Sequence, residues 1–285
     1  MMLEKMGFFF TSCILFLIVN FLQDVSARAP TKIVGGTDAT IEEFPSLVSI
    51  RDNVNDHVCG GMLITTKHVL TAAHCLVTYE KKRNQIIQVE NPITVCTGGD
   101  DKGKFEKARQ IEKIDVHELF DGNYSETSYI LHDIGIITLK EAVEEGPTRK
   151  PIKLPSHNTE IGESAHIAGW GSVDKNWIEI PLTLQKAQMN ISRCKILPGT
   201  LRTPDTEICA FNRKDVGFCN FDSGSPLIVN NEAVGIASWK WSRTCADGYP
   251  DVYTRVISYL EWIRNIIDPD QNRTDDQQNG HDELR

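Results

Sequence analysis

Positive charge is scarce in this sequence of 285 residues. It has 30 Lys and Arg against 39 Asp and Glu, which gives a formal net charge of −9. Non-specific binding to nucleic acid depends on neutralising phosphates with basic side chains. The charge balance therefore argues against a nucleic-acid partner, and we expect none.

The sequence also lacks cysteines and histidines at the spacing of metal ligands. Structural zinc sites place such residues two to five positions apart in pairs. We therefore expect no metal, and nothing in the sequence indicates any other cofactor. No internal repeat is evident, and the hydrophobic content of 40% is that of a globular protein.

One long apolar run occurs, at residues 8–22. Lys5 precedes it and Val25-Ser26-Ala27 follows it, which is the pattern of a signal peptide with a small-residue cleavage site. A membrane anchor needs a longer run of about 20 residues. We therefore expect residues 1–27 to be a signal peptide, with a secreted, extracellular mature chain and no membrane contact.

The two other features of an exported chain are its cysteines and its sequons. Cys13 would leave with the signal peptide, so seven cysteines remain, a number typical of an oxidising compartment. Candidate glycosylation sites are the Asn-x-Ser/Thr asparagines Asn123, Asn190 and Asn272. At the end of the chain, residues 268–285 contain almost no apolar residue and predict a disordered acidic tail.

Short segments rich in β-branched residues dominate the middle of the chain, for example 47–50, 61–64 and 134–139. Polar turns separate them, which predicts an all-β barrel or sandwich. After the second set of such segments, which ends near residue 254, the period changes. Val256, Leu260 and Ile263 are three or four positions apart, which predicts one apolar face of a helix over 256–267.

Ser223 lies between Asp222 and Gly224 in the stretch 219–227. A serine on a tight turn can present its hydroxyl for attack on a carbonyl, and nearby backbone N–H groups can stabilise the oxyanion that forms. Alone, an Asp-Ser-Gly triplet marks an ordinary turn more often than an active site. A base and an orienting acid have to come from elsewhere in the chain.

Seven motifs in a recognisable order supply them. They are Ile33-Val34-Gly35-Gly36, Thr71-Ala72-Ala73-His74-Cys75, His132-Asp133-Ile134-Gly135-Ile136-Ile137, Gly169-Trp170-Gly171, the serine stretch, Ser238-Trp239 and Pro250-Asp251-Val252-Tyr253-Thr254. From Ile33 to about Ile267 the chain resembles the chymotrypsin-like (trypsin-fold) serine proteases, as an insect-type single-domain member. The resemblance implies two six-stranded antiparallel β-barrels with a C-terminal α-helix, and a barrel boundary near 141–155.

The resemblance also implies the catalytic roles. Ser223 corresponds to the nucleophile, His74 to the general base and later acid, and Asp133 to the residue that orients the imidazole. The oxyanion hole would be formed by the N–H groups of Phe221 and Ser223. Ser238 corresponds to the serine that accompanies the aspartate, and Trp239 to the residue whose strand pairs with the substrate.

Activation by cleavage follows from the same resemblance. Residues 28–32 correspond to a short propeptide, and a cut after Lys32 would free the amine of Ile33. In this family that amine folds inward and pairs with the aspartate before the nucleophile, here Asp222. A buried carboxylate without a cation would be costly, so one cut could organise the serine loop.

The disulfide pairs implied are Cys59–Cys75, Cys194–Cys209 and Cys219–Cys245, each of which contributes about 2–4 kcal/mol in an oxidising compartment. Cys96 is left over in a strand-like segment, where we favour a buried thiol over an intermolecular bridge.

Phe221 departs from the family pattern, which nearly always has glycine at this oxyanion-hole position. The donor there is a backbone N–H, so the side chain does not remove it. If the position needs a left-handed backbone, phenylalanine would be strained by about 1–2 kcal/mol.

The residues expected to line the specificity pocket are also unusual. They are Gly217, Phe218, Asn220, Ser238, Trp239, Lys240 and Asp251. Gly217 stands where trypsins carry aspartate, and Asp251 could supply the negative charge from the other wall. Lys240 replaces a glycine and either pairs with Asp251 or points to solvent. We therefore predict a basic or mixed preference for the residue before the cleaved bond.

The leading hypothesis is a secreted serine endopeptidase made as a zymogen, with a protein or peptide substrate and an activating protease as its partners, acting as a monomer. The alternative is a catalytically weak protease homologue that acts as a binding or decoy protein. The complete set of His74, Asp133 and Ser223 favours the first, and Phe221, Phe218 and Lys240 favour the second.

Overall fold

The structure is a computed structural model that describes residues 33–80, 85–88, 93–99, 108–120, 122, 130–174, 180–194, 204–242 and 244–269. The predicted signal peptide and propeptide, the sequons at Asn123 and Asn272, and residues 270–285 of the predicted tail lie outside the described residues.

Strands dominate the described residues. They are β1 (Thr37–Asp38), β2 (Leu47–Arg51), β3 (His57–Leu63), β4 (His68–Thr71), β5 (Val77–Glu80), β6 (Gln85–Gln88), β7 (Thr94–Thr97), β8 (Ile111–Val116), β9 (Gly135–Leu139), β10 (Ser164–Gly169), β11 (Gln185–Ser192), β12 (Glu207–Phe211), β13 (Pro226–Val229), β14 (Glu232–Trp239) and β15 (Asp251–Arg255). A 3-10 turn at Ala73–Cys75 follows β4, and a second one at Val256–Tyr259 leads into helix α1, Leu260–Ile267.

Two antiparallel sheets carry the architecture. The first has the strand order β7-β2-β3-β4-β9-β8, and a bridge between Val95 and Arg109 joins β7 to the segment before β8. The second has the order β1-β11-β10-β13-β14-β15-β12. Because β12 also pairs with β11, six of its strands close on themselves and the two-residue β1 is an addition. The predicted fold class, two six-stranded barrels with a C-terminal helix, is confirmed.

Each barrel has its own apolar core, because side chains alternate between the two faces of a strand. In β11 the burial alternates along Gln185–Ser192, as expected of a strand with one face in the core. The first core holds Val69, Ile136 and Leu70, and the second holds Ile167, Met189 and Leu227. Ile236 of β14 and Ile263 of α1 pack into the first core, so helix α1 lies against the first barrel.

The C-terminal helix differs from its prediction in its first turn. The sequence predicted one helix over 256–267, but residues 256–259 form a 3-10 turn before the α-helix begins. Val256 and Ile263 are fully buried, so the predicted apolar face does pack inward. Among the residues that the structure describes, no helix is long and apolar enough to span a bilayer.

The three disulfides implied by the resemblance are present, Cys59–Cys75, Cys194–Cys209 and Cys219–Cys245. Cys96 is a buried free thiol, and burial raises its pKa while the charge of Arg51 acts in the opposite direction. Asn190 lies within β11, between Ser164 of β10 and Phe211 of β12. Its sequon therefore lies in a paired strand and not in the surface loop that is typical of glycosylation sites.

Candidate active site

His74 and Asp133 meet at the edge of the first sheet. His74 lies in the 3-10 turn after β4, and Asp133 lies just before β9, which pairs with β4. The Nδ1 atom of His74 is 2.7 Å from Oδ2 of Asp133, and the backbone N–H of His74 donates to Oδ1 at 2.9 Å. Both carboxylate oxygens therefore hold the same histidine, which fixes the orientation of its ring.

The second sheet completes the contacts of Asp133, which has no exposed surface. Ser238 Oγ of β14 donates to Asp133 Oδ2 at 2.5 Å, and Thr254 Oγ1 of β15 donates to the backbone oxygen of Asp133 at 2.8 Å. Burial alone would raise the pKa of Asp133, but the charge of His74 and the hydrogen bonds that the carboxylate accepts from His74 and Ser238 lower it below its ordinary value. Burial would likewise lower the pKa of His74, and Asp133 reverses this, so the net shift is upward.

Ser223 lies on the turn between Cys219 and β13. Its backbone oxygen accepts a hydrogen bond from the N–H of Gly60 in β3 at 2.8 Å, which ties the turn to the first sheet. Gly224 follows with a φ of +82°, and a Cβ there would be 2.2 Å from Thr71 Oγ1. Ser223 and His74 line one cavity of about 450 Å³, which also borders the Cys59–Cys75 disulfide.

Asp222 is buried directly behind this turn. Its Oδ1 accepts from the N–H of Gly171 at 2.8 Å and its Oδ2 from the N–H of Cys219 at 3.0 Å. A Cβ on Gly171 would be 2.3 Å from the carboxylate carbon, so this position has no room for a side chain. Ile33 is 1% exposed and borders the same internal void as Asp222, so the structure brings together the two residues implied in activation.

Phe221 has a φ of +73°, in the left-handed region that glycine occupies without cost. The condition stated for strain at this position is therefore met. The Nε2 atom of His57 donates to the backbone oxygen of Phe221 at 2.9 Å, which supports the unusual backbone from the side of β3.

A chain of hydrogen bonds that the motifs did not reveal stands behind this contact. Because Nε2 of His57 donates to a carbonyl, a neutral ring must accept at Nδ1, and Ser49 Oγ lies 2.8 Å from that atom. The buried Arg51 donates from Nε to Ser49 Oγ at 3.3 Å and from Nη1 to Asn55 O at 3.2 Å. The three donors thus point in one direction, from Arg51 to Phe221.

At the base of the expected specificity pocket, the carboxylate comes from Asp251 and not from position 217. A Cβ on Gly217 would be 2.5 Å from Asp251 Oδ2, so the carboxylate of Asp251 fills the space beside this glycine. Asp251 Oδ2 accepts from the N–H of Phe218 at 2.9 Å, and the Phe218 ring packs edge-on against Tyr253. Burial raises the pKa of Asp251 to about 8.

Lys240 lies at the mouth of this region and is half-buried. Its Nζ donates to Asn220 Oδ1 at 2.8 Å, a contact that neither sequence alternative for Lys240 included. Burial lowers the pKa of Lys240, and the negative charges of Asp251, Asp222 and Asp247 act in the opposite direction. Asn220 is thus a hydrogen-bond partner of the ammonium group, and Asp251 attracts that group only when its own carboxyl is ionised.

One group of three potential metal ligands comes together in the part of the chain that the structure describes, namely Cys59, Cys75 and His74. The two sulfurs form a disulfide. A disulfide offers no thiolate, and thiolates are the sulfur ligands that bind zinc, so these residues do not form a metal centre.

Backbone strain at Phe221 predicts an inverted order of stability between glycine and alanine. We expect Phe221→Gly to exceed Phe221→Ala in free energy of unfolding by about 1 kcal/mol, because both lose the ring and only alanine keeps a Cβ at positive φ. Denaturant unfolding of both variants measures this. The matched pair Asn220→Gly and Asn220→Ala, at a residue without positive φ, should show the usual order, with alanine more stable. The same order at both positions would contradict strain at Phe221.

The raised pKa of Asp251 predicts a stability that falls with pH. A carboxyl with a pKa near 3.8 when unfolded and about 8 when folded favours the folded state at low pH and loses this contribution between those values. Asp251→Asn keeps an oxygen for the N–H of Phe218 and does not titrate. We expect the variant to be the more stable protein at pH 9 and nearly equal to the parent at pH 4, measured by urea unfolding.

The exposed Asp205 provides the control, since Asp205→Asn should leave the pH dependence as it is. If the free energy of unfolding changed with pH in the same way for the parent and for Asp251→Asn, the raised pKa of the Asp251 carboxyl would be contradicted.

The comparisons with known proteins agree with this geometry. The Trypsin family model matches residues 33–263. Chymotrypsin-2 of Vespa crabro is 36% identical over 81% of this chain and 98% of that protein. Trypsin theta of Drosophila erecta is 34% identical over 82% of this chain and 86% of that protein.

Solved structures show the same likeness. Neuropsin, described as a serine protease of mouse brain, has a TM-score of 0.68 and 26% identity, over 82% of this chain and 99% of that one. Human heparin binding protein has a TM-score of 0.67 and 25% identity, over 82% and 96%. The family match, the relatives and the two-barrel fold agree, and the chain belongs to the trypsin family of chymotrypsin-like serine proteases.

Proposed function

We propose that this protein is a secreted serine endopeptidase, made as a zymogen, that cleaves peptide bonds through an acyl-enzyme. The observation that carries the proposal is the pair of hydrogen bonds from His74 to a fully buried Asp133, beside Ser223 in one open cavity. A histidine held in this way at the surface of a protein has one ring nitrogen left for proton transfer.

The proton path follows from the contacts of the ring. Since Nδ1 of His74 donates to Asp133, Nε2 is the basic nitrogen and takes the proton of the Ser223 hydroxyl as that oxygen attacks the substrate carbonyl. His74 then gives the proton to the leaving amine, and water repeats the sequence on the acyl-enzyme. Asp133 stays ionised throughout, because its hydrogen bonds and His74 keep its pKa low.

The developing oxyanion would be stabilised by the N–H groups of Phe221 and Ser223. The orientation of the Phe221 N–H depends on the backbone at this residue, whose carbonyl oxygen accepts a hydrogen bond from His57. The donor at position 221 is a backbone N–H, which the phenyl side chain does not remove. In this proposal the oxyanion hole therefore keeps both of its N–H donors.

Activation depends on Ile33 and Asp222. Asp222 is 1% exposed, and a carboxylate so placed is stabilised by a positive charge. Cleavage after Lys32 would supply that charge as the new amine of Ile33, a residue already buried beside the same void. The proposal therefore includes a separate activating protease that cuts at Lys32.

A fluorophosphonate probe tests both catalysis and activation. We expect protein cut after Lys32 to be labelled at Ser223 and the uncut Lys32→Gln variant to remain unlabelled and folded, with cut Ser223→Ala as the control. Absence of labelling in the cut protein would contradict the proposal that the protein is an active serine endopeptidase. Equal labelling of the cut protein and of Lys32→Gln would instead contradict activation by cleavage.

For specificity we propose a basic or mixed preference for the residue before the cleaved bond, with Asp251 as the reader. Its carboxyl is mostly protonated at neutral pH, since its pKa is about 8. A cationic substrate side chain would lower that pKa again. Phe218 and Lys240 reduce the space, so we expect selection to be weaker than in a trypsin with an acidic pocket base.

This specificity should depend on pH. We expect the ratio of kcat/KM for arginine over leucine substrates to rise severalfold from pH 6.5 to 8.5, as Asp251 ionises. Peptide-library profiling of the parent and of Asp251→Asn measures it, and the variant should lose both the rise and most of the preference. An unchanged profile in Asp251→Asn would exclude Asp251 as the reader.

The alternative, a protease homologue with weak catalysis and a binding role, is favoured by the positive φ of Phe221 and by the crowded pocket. Human heparin binding protein, a structural relative, carries a name that describes binding. The retained contacts of His74 with Asp133 and Ser238 with Asp133 favour the enzyme.

Secretion is supported by the three disulfides, which form and persist in oxidising compartments. It is also in keeping with a relative named as a snake venom serine protease, salmonase of Gloydius brevicauda. Glycosylation and the monomeric state remain part of the proposal.

A further inference from the structure

Glu207 is a buried acid outside the catalytic residues. It begins β12 and is 4% exposed, and the three residues that follow it, Ile208, Cys209 and Ala210, are buried as well. Burial raises the pKa of Glu207 to about 7, and the hydrogen bond from Trp239 acts in the opposite direction. A carboxyl in such a position is costly without a partner, so its partner is informative.

That partner is Trp239, whose Nε1 donates to Glu207 Oε1 at 3.1 Å. Trp239 ends β14, and β15 lies between β14 and β12 in the sheet. The indole therefore reaches across β15 to Glu207. The residue before it, Ser238, donates to Asp133, so the strand that carries Trp239 also touches the catalytic aspartate.

The indole is half-buried and packs edge-on against Trp241, with ring centroids 4.8 Å apart. Trp239 lies between Ser238, which donates to Asp133, and Lys240, which donates to Asn220 in the wall of the cavity that His74 and Ser223 line. Glu207 holds the indole N–H from the other side. An apolar residue at position 207 would leave the indole N–H without this acceptor and would allow the ring to change its orientation.

The charged and titratable groups near Glu207 come from β15, from the 3-10 turn after it and from the residues just before β12 and β9. Arg255 Nε donates to the backbone oxygen of Glu207 at 3.1 Å. Tyr259 lies close enough for the charges of Asp133 and Glu207 to contribute to its raised pKa, after burial. Asp205 faces Arg255.

We propose that Glu207 is a positioning residue that fixes the indole of Trp239 as a platform for the substrate residues preceding the cleaved bond. The proposal rests on the proposed function, in which the strand of Trp239 binds the substrate chain. Glu207 acts through Trp239 and touches no reacting atom. Its effect should therefore fall on the binding of extended substrates and leave the chemical step nearly unchanged.

The first experiment measures peptide binding without turnover. The protein is cut after Lys32 and carries Ser223→Ala. A set of fluorescent tetrapeptide amides is screened, and the tetrapeptide that binds most tightly is chosen. Its Kd is compared with the Kd of the single-residue amide that has the same last residue. We expect Glu207→Met to raise the Kd of the tetrapeptide about five- to tenfold and that of the single residue by less than twofold. Glu207→Gln should restore most of the affinity, since its amide oxygen can accept from the indole.

A second measurement uses pH. Ionised Glu207 accepts a stronger, charge-assisted hydrogen bond than the protonated form, so the ratio of the single-residue Kd to the tetrapeptide Kd should rise from pH 6 to pH 8. The titrations of Asp251 and His74 affect both ligands, which share their last residue, and cancel in this ratio. Glu207→Gln should lose this dependence. The control Glu232→Gln removes a carboxylate at the other end of β14, where it accepts from Ser156 N, and should keep it.

Trp239→Phe provides the coupling test. In that background Glu207→Met should have no further effect on the Kd, because the indole through which Glu207 acts is gone. An additive effect, an equal loss for both ligands, or a tetrapeptide affinity unchanged in Glu207→Met would each overturn the proposal. Fluorophosphonate labelling of the same variants with Ser223 present reports separately on the enzyme, so a failure of catalysis is not mistaken for a failure of positioning.

Discussion

The carboxylate of Asp133 is fully buried, and several residues of the site donate hydrogen bonds to it. Its two oxygens receive hydrogen bonds from His74 of the first barrel and from Ser238 of the second, and its backbone oxygen receives one from Thr254. Losing one partner of a buried charge costs about 3–5 kcal/mol. One buried charge therefore joins two barrels and holds the histidine ring at a fixed angle.

Asp251 and Glu207, two buried carboxyls of the second barrel, show what happens with fewer donors. Asp251 has one backbone donor, from Phe218, and its pKa rises to about 8; Glu207 has one indole donor and its pKa rises to about 7. Asp133, equally buried, has several donors and a charged neighbour, and its pKa falls. The direction of the pKa shift of these buried carboxyls thus depends both on the groups that donate to them and on a charged neighbour.

Much of this could be predicted from the sequence. The order of seven short motifs indicated the family and the two barrels, and with them the three disulfide pairs and the meeting of His74 with Asp133. What escaped prediction depends on contacts between distant positions. The support of Phe221 by His57 joins residues 164 positions apart, and the Glu207–Trp239 contact crosses a strand. The 3-10 start of the helix and the place of Asn190 within a strand depend on packing that a local pattern does not encode.

The departures from the family pattern are confined to a small region. They are Gly217, Phe221, Lys240 and Asp251. Asp251 lies against Gly217 and Phe218, and Lys240 donates to Asn220, so all four lie in or against the segment that precedes Ser223. None of these four residues takes part in the hydrogen bonds between the Asp133 carboxylate and its partners His74 and Ser238. In the proposed enzyme, proton transfer and substrate selection would therefore depend on separate sets of contacts, and the second set could change while the first is kept. The positive φ of Phe221 lies where the two sets meet, because this residue carries the proposed oxyanion donor and lines the cavity that His74 and Ser223 share.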